Sequence, residues 1–219
     1  MRVFGRTIAV IFSAFMLTAV AQADEAAEVY VEENANQVLE TLNNPELDAA
    51  ARTEAFSRYM DKFTDLERVS NFVIGKYARR FSERDLERYR DAFREYALTV
   101  YETELDRYRG ERVDVTGSVD RSERDTIVNT VIRRQDGQDM DVRWRVLEDD
   151  GAFQVVDVAL NIDGNLLWLA IEQRAQFLAL LDRTNGSADA LVDKIESMTR
   201  DLEEDRRAAL DLEETGRRG

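Results

Sequence analysis

Apolar positions recur at helical spacing through the first half of the chain and alternate through most of the second. Val29, Val38, Leu39 and Leu42 give a short amphipathic segment over roughly residues 26–42. Asn44-Pro45 reads as an N-cap followed by proline at the first helical position, opening a helix that runs to about Tyr59 or Met60. Thr64-Asp65-Leu66-Glu67 has the capping-box pattern and introduces a helix carrying Val69, Phe72, Val73, Ile74 and Tyr77. Ser82-Glu83-Arg84-Asp85 is a second such signature, with Asp in the Glu position. It opens the longest helix, about 83–108, whose apolar positions run from Leu86, Tyr89 and Phe93 to Val100, Tyr101 and Leu105.

Gly110 marks a change of period. The runs ERVDVTGSV, DTIVNTVIRR, MDVRWRV and AFQVVDVAL are β-branched or alternating, and Met140, Val142, Trp144 and Val146 alternate with Asp141, Arg143 and Arg145. QDGQD and EDDGA separate them with Asp-Gly pairs, which favour hairpins. The pattern predicts an α+β fold, with a four-stranded antiparallel sheet packed against several helices. Gly164 ends the fourth strand, and a helix is expected from about 165 to 182. Asn185-Gly186 stops it, Ser187 caps the next helix to roughly 204 or beyond, and the polar tail 205–219 is expected to fray.

The segment Leu166 to Ile171 holds six consecutive apolar residues, more than the single stripe of a surface helix. Leu167 and Ile171 share one helical face, while Leu166, Leu169 and Ala170 share another. Either the second face is buried between sheet and long helix, or it lines an apolar cavity for a hydrophobic guest.

Composition narrows the classes. The chain carries a formal charge of −15 and contains no histidine and no cysteine. Acidity disfavours nucleic acid, whose binding rests on neutralising phosphates, and adsorption to an anionic bilayer. Disulfides, thiolate sites, Ser-His-Asp catalysis and the usual zinc sites are excluded, and no cofactor is expected. Residues 1–23 read as a cleaved export signal: Arg2 and Arg6, an apolar run from Ile8 to Val20, then Ala21-Gln22-Ala23. Residues 24–204 then form a single domain. Asp136, Asp139 and Asp141 lack full calcium-loop spacing and read as a turn. Lys76, Arg79, Arg80, Arg84 and Arg88 form a local basic cluster, read either as a phosphate or partner contact or as a solvated face paired with Glu83 and Glu87. Asp157, flanked by valines, reads as a structural carboxylate bonded to an arginine or a backbone amide.

Several of these segments together resemble the toluene-tolerance/MlaC family of exported lipid-binding proteins. Val73, Ile74, Gly75, Tyr77 and Arg79 are similar to that family's apolar-Leu-Gly-x-Tyr-Trp-Arg core, with Ala78 in place of the tryptophan. Ser82, Phe93, Tyr101, Leu105, Tyr108, Gly110, Val113 and Val115 follow its Ser-initiated helix and its Tyr-x-Gly-x-x-Val-x-Val strand entry. Gly186 and Leu191, in NGSADALVDKI, match its ending, so the likeness covers roughly residues 28–202. The family's Glu-Gly-Val-Ser-Leu motif is replaced by NIDGNLLWLAIEQRAQF, and LAIEQRAQF is closer to the hopanoid-associated members.

The resemblance implies a non-catalytic periplasmic carrier of phospholipid, or of a hopanoid or other hydrophobic ligand. It also implies two partners, an inner-membrane ABC transporter complex and an outer-membrane lipoprotein complex. The tails are then expected between sheet and helices, against Phe72, Val73, Tyr77, Phe93, Tyr101 and Val115, and against Val142, Trp144, Val158, Leu160, Leu166 and Leu169. A histidine-free hydrolase, with paired carboxylates in a wet pocket, and a solid-cored envelope interaction protein are the rival readings.

Overall fold

The computed structural model describes residues 20–106, 112–133, 139–162 and 164–217. The expected leader lies outside the described residues up to position 19, as do Tyr108, Gly110 and the QDGQD turn up to Gln138. Six helices and five strands follow in the order α1 Val20–Asn43, α2 Ala49–Phe63, α3 Leu66–Ile74, a 3-10 turn Gly75–Arg79 and α4 Glu83–Asp106. Then come β1 Arg112–Ser122, β2 Asp125–Arg133, β3 Met140–Asp149, β4 Ala152–Ile162, β5 Asn165–Trp168, α5 Leu169–Arg183 and α6 Ala188–Arg217.

Local chemistry explains most boundaries and corrects some expectations. Asn44 does not cap α2. Its Oδ1 accepts from Glu46 N at 2.9 Å in a local turn, and Asp48 caps the helix by accepting from Ala51 N at 2.8 Å. Asp65, rather than Thr64, caps α3 through Arg68 N, because the Thr64 backbone is already committed to Met60 O and a bridge to Val155 of β4. Ser82 caps α4 as expected, Asp85 N donating to its Oγ, but the Asp85 carboxylate closes the pair by accepting from the Ser82 hydroxyl and not from its backbone N–H. Ser187 Oγ likewise accepts from Ala190 N at the start of α6, which continues past residue 204 to Arg217.

The sheet is an antiparallel meander in the order β1-β2-β3-β4-β5, with five strands where four were expected. The additional strand comes from the apolar run. Gly164, at φ 82°, turns the chain, and Asn165 to Trp168 pair back onto Ile162 to Ala159 before α5 begins at Leu169. Leu166 and Leu167 therefore point to opposite sides of a strand and do not share a helix. Between β3 and β4, Asp150 and Gly151 both adopt positive φ, as a type I′ hairpin requires, and Asp149 pairs with Ala152.

Two apolar cores result. In the first, Val113, Val128, Val142, Trp144, Val146 and Val158 face α1 and α2 residues such as Val31, Leu39, Phe56 and Phe63. In the second, α3, α4, α5 and α6 pack around Tyr89, Phe93, Phe177, Leu181, Leu191 and Ile195. A register shift after Arg145 makes β4 serve both cores: Val155 and Val158 face the first, while Val156 faces the second. Asn36 of α1 docks that helix onto the sheet edge. Its amide donates to Val113 O and accepts from Val113 N, each at 3.0 Å, as a neighbouring strand does.

Three motif residues of the sequence meet in one knot. Gly75 ends α3 at φ 54°, ψ −118°, and a Cβ there sits 2.8 Å from the Arg174 guanidinium, which is bonded to Phe72 O. Gly186, at φ 78°, leaves room for the Tyr77 ring, also 2.8 Å from where a Cβ belongs. The Tyr77 hydroxyl donates to Asp182 at 2.7 Å; that bond raises the phenol pKa and, with Lys76, holds the carboxyl below its ordinary value. The basic cluster is thus partly spent on tertiary pairs, Lys76 with Asp182 and Arg88 with Asp189, instead of local pairs with Glu83 and Glu87.

Asp157 ties the two cores together. Only 5% exposed on β4, it accepts from Val158 N and Ala170 N, both at 2.9 Å, so it caps α5, whose own N-cap Trp168 offers no side-chain bond. Burial pushes its carboxyl up to about 6, against the opposing pull of the two amides and Arg145.

Gly75→Ala is expected to lower stability by about 2–3 kcal/mol, through backbone strain and displacement of Arg174. A fall in the thermal midpoint of about 4–12 °C checks it. Asp157 carries a second expectation. Its raised pKa makes its contribution most favourable below the ordinary 3.8 and progressively lost as pH rises through about 6. Between about pH 7.5 and about pH 4.5 the wild type should gain about 2 kcal/mol relative to Asp157→Asn, read from urea midpoints. An unchanged difference overturns the assignment.

Candidate functional site

An apolar cleft lies between the α1–α2 layer and the inner face of the sheet. Ala35, Val38 and Leu39 of α1, with Met60 and Phe63 of α2, form its roof. Val113, Ile132, Met140, Val142, Trp144, Val158 and Leu160 form its floor across β1 to β4, and Val100 of α4 and Leu169 of α5 complete the lining. Helical spacing places the roof residues on one face, and strand alternation does the same for Val142 and Trp144. Trp144 turns its polar edge away: Nε1 donates to Thr130 Oγ1 at 2.9 Å, and Thr130 donates to Val142 O. The indole face meets Phe63 at a centroid distance of 5.5 Å, spanning roof and floor.

The polar exception is Thr64. It lines the cleft at 4% exposure, and its Oγ1 finds no hydrogen-bond partner among the described residues. The free space is about 50 Å³, well below the roughly 300–1,000 Å³ of an ordinary ligand site. In this conformation the cleft is nearly closed by its own side chains.

Five of the twelve expected residues line this cleft: Val142, Trp144, Val158, Leu160 and Leu169. Val115 packs half-buried against the same core, and Leu166 is half-buried on β5. Val73, Tyr77 and Phe93 belong instead to the helical core, and Phe72 is 42% exposed under the Arg174 guanidinium, 4.8 Å from its ring centre. The Tyr101 side chain lies outside the described residues. The roof residues were missed. The amphipathic stripe of α1 was visible in the sequence, but nothing local says that its partner is the sheet.

A second pocket of about 220 Å³ opens on the other side of Leu169 and Val100, which line both spaces. It lies between α3, α4, β4 and α5; most of its lining is apolar, including Leu66, Val69, Val156 and the expected site residue Phe93, and Tyr96, Asp157, Glu172, Gln173 and Gln176 are its polar members. Tyr96 donates to Gln173 Oε1 at 2.9 Å, and burial raises the Tyr96 pKa. Asp157 and Glu172 share this pocket, but the Asp157 Oδ1 is engaged by two backbone amides. Among the described residues no cluster of acidic side chains is arranged to hold a metal, and no helix is long and apolar enough to cross a membrane.

Removing the Thr64 hydroxyl tests the cleft's polarity. Thr64→Val keeps the shape and removes an unpaired buried group, so a gain of about 1 kcal/mol is expected in a denaturant titration. A loss of that size reveals a partner for the hydroxyl.

The comparisons with known proteins agree with this architecture. No curated protein matches the chain. Among solved structures, the phospholipid-binding protein from Ralstonia solanacearum, determined in complex with a phospholipid, superposes with a TM-score of 0.67. The two sequences are 20% identical, and the alignment covers 80% of this chain and 98% of the other, a likeness of fold. The profile described as MlaC protein matches residues 32–197, from the roof helix α1 through the first part of α6. The chain belongs to the MlaC family.

Proposed function

We propose that this protein is a periplasmic lipid carrier. It is exported by a cleaved leader, holds the acyl chains of a phospholipid in the cleft between α1–α2 and the sheet, and performs no bond chemistry. It passes its cargo between an inner-membrane ABC transporter complex and an outer-membrane lipoprotein complex. The observation that carries this reading is the cleft's lining, apolar except for Thr64. Membership of the MlaC family and the phospholipid-bound Ralstonia relative support it.

The energetics favour an opening cleft over a rigid one. Loading requires the roof to lift from the floor, which costs contacts such as the Phe63–Trp144 pair, about 0.5–1.5 kcal/mol beyond area burial. Each methylene taken from water contributes about 0.8 kcal/mol, so about ten methylenes supply roughly 8 kcal/mol. Met60 and Met140, flexible and on opposite walls, adapt the lining to a chain without fixed shape. The same arithmetic makes unassisted release slow, so donor and acceptor proteins must compete for the cleft. The chain's acidity suits hand-off between proteins better than collision with an anionic bilayer.

Protein purified from cells should carry lipid, identified by mass spectrometry of an organic extract. An extract free of lipid, together with no uptake from phospholipid vesicles, overturns the carrier reading. Leu169→Arg puts a charge where the cleft adjoins the second pocket and should reduce loading at least tenfold while circular dichroism stays native. Full loading of a folded variant removes Leu169 from the lipid path.

A further inference from the structure

The pocket beyond Leu169 and Val100 has a feature that the fold does not use. Gln173 is nine-tenths buried, lines this pocket, and has its Oε1 occupied by the Tyr96 hydroxyl. Its Nε2 is buried and finds no acceptor among the described residues. An amide donor shut away from water without a partner costs about 1–3 kcal/mol. With Oε1 taken by the Tyr96 hydroxyl, Nε2 is the amide atom left facing the pocket without a partner.

The surroundings say what acceptor fits. Asp157 and Glu172 border the same pocket, and among the described residues no basic side chain does, so a phosphate is disfavoured there. The acceptor is therefore neutral. Its position is equally constrained: Leu169 and Val100 form the wall between this pocket and the apolar cleft. A group seated here lies across that wall from the cleft, next to one end of a chain held there. In a diacyl lipid, the neutral acceptor at the root of each tail is the ester carbonyl.

We propose that Gln173 is a specificity-determining residue whose Nε2 donates to the ester carbonyl at the root of a lipid tail, beside the entrance marked by Leu169 and Val100. This rests on the carrier reading above and refines it: acyl esters are preferred over lipids with the same headgroup and chains but ether links. Tyr96 acts through Gln173 as a positioning residue, and the acidic border keeps the phosphate outside the pocket.

Delipidated wild-type protein is titrated with two phosphatidylcholines matched in headgroup and chain length, one diacyl and one dialkyl ether. The wild type should bind the diacyl lipid about 5- to 10-fold more tightly. Gln173→Met, similar in shape but without the donor, should lose that preference by weakening only diacyl binding. Equal wild-type affinities overturn the proposal without any variant, as does a Gln173→Met protein that retains the preference or weakens toward both lipids alike. If the wild type binds neither lipid, the carrier reading itself fails. Circular dichroism of the variant accompanies the titration, and the wild-type comparison stands even if the variant does not fold.

Discussion

A buried carboxylate under the first turn of a helix couples the two halves of this molecule. Asp157 belongs to β4, yet its bond to Ala170 N supplies the cap that α5 otherwise lacks. The register shift after Arg145 lets one strand turn Val158 to the sheet core and Val156 to the helical core. Leu169 is held where both pockets meet because it sits between the last strand and this capped turn. The geometry of the wall between the two pockets thus rests on a charge kept in low dielectric, at a cost in stability near neutral pH.

On the proposed reading, the cleft and its neighbour divide labour in a way suited to an amphiphile. The cleft is apolar and gives affinity through area removed from water, indifferent to the details of the chain. The second pocket adds to a largely apolar lining one directional group, the Gln173 amide, which discriminates by whether an acceptor is offered. Closure of the cleft by its own methionines and aromatics protects that apolar surface from water.

Much of the architecture was legible in the sequence. The period change after Gly110, the alternation through Trp144 and the Ser82 cap each depend on neighbours within a few residues, and all three are realised. The fold class followed from the first two, and the family from the resemblance of motif residues such as Gly75, Tyr77, Gly110 and Gly186. The apolar run at 166–171 misled, because a short apolar segment has no period of its own and only tertiary pairing to Ala159–Ile162 makes its first part a strand. Capping shifted by one residue at Thr64 for the same reason: a bridge to β4 claims that backbone. Site residues were hardest. Tyr77 is prominent as a motif, but it serves a knot with Gly186 and Asp182, whereas the roof over the sheet comes from α1 and α2, far away in sequence.

The pairing of Asn36 with Val113 has a bearing on crowding. β1 is an outer strand of the sheet, and a free N–H and C=O there are a template for another chain. The Asn36 amide occupies both groups at that position, and β1 is further broken by irregular register near Gly117 and Ser122. At the opposite margin β5 offers only four residues. If the proposed carrier parts its greasy layers to load, these margins oppose the ribbon growth by which such exposure turns into fibrils.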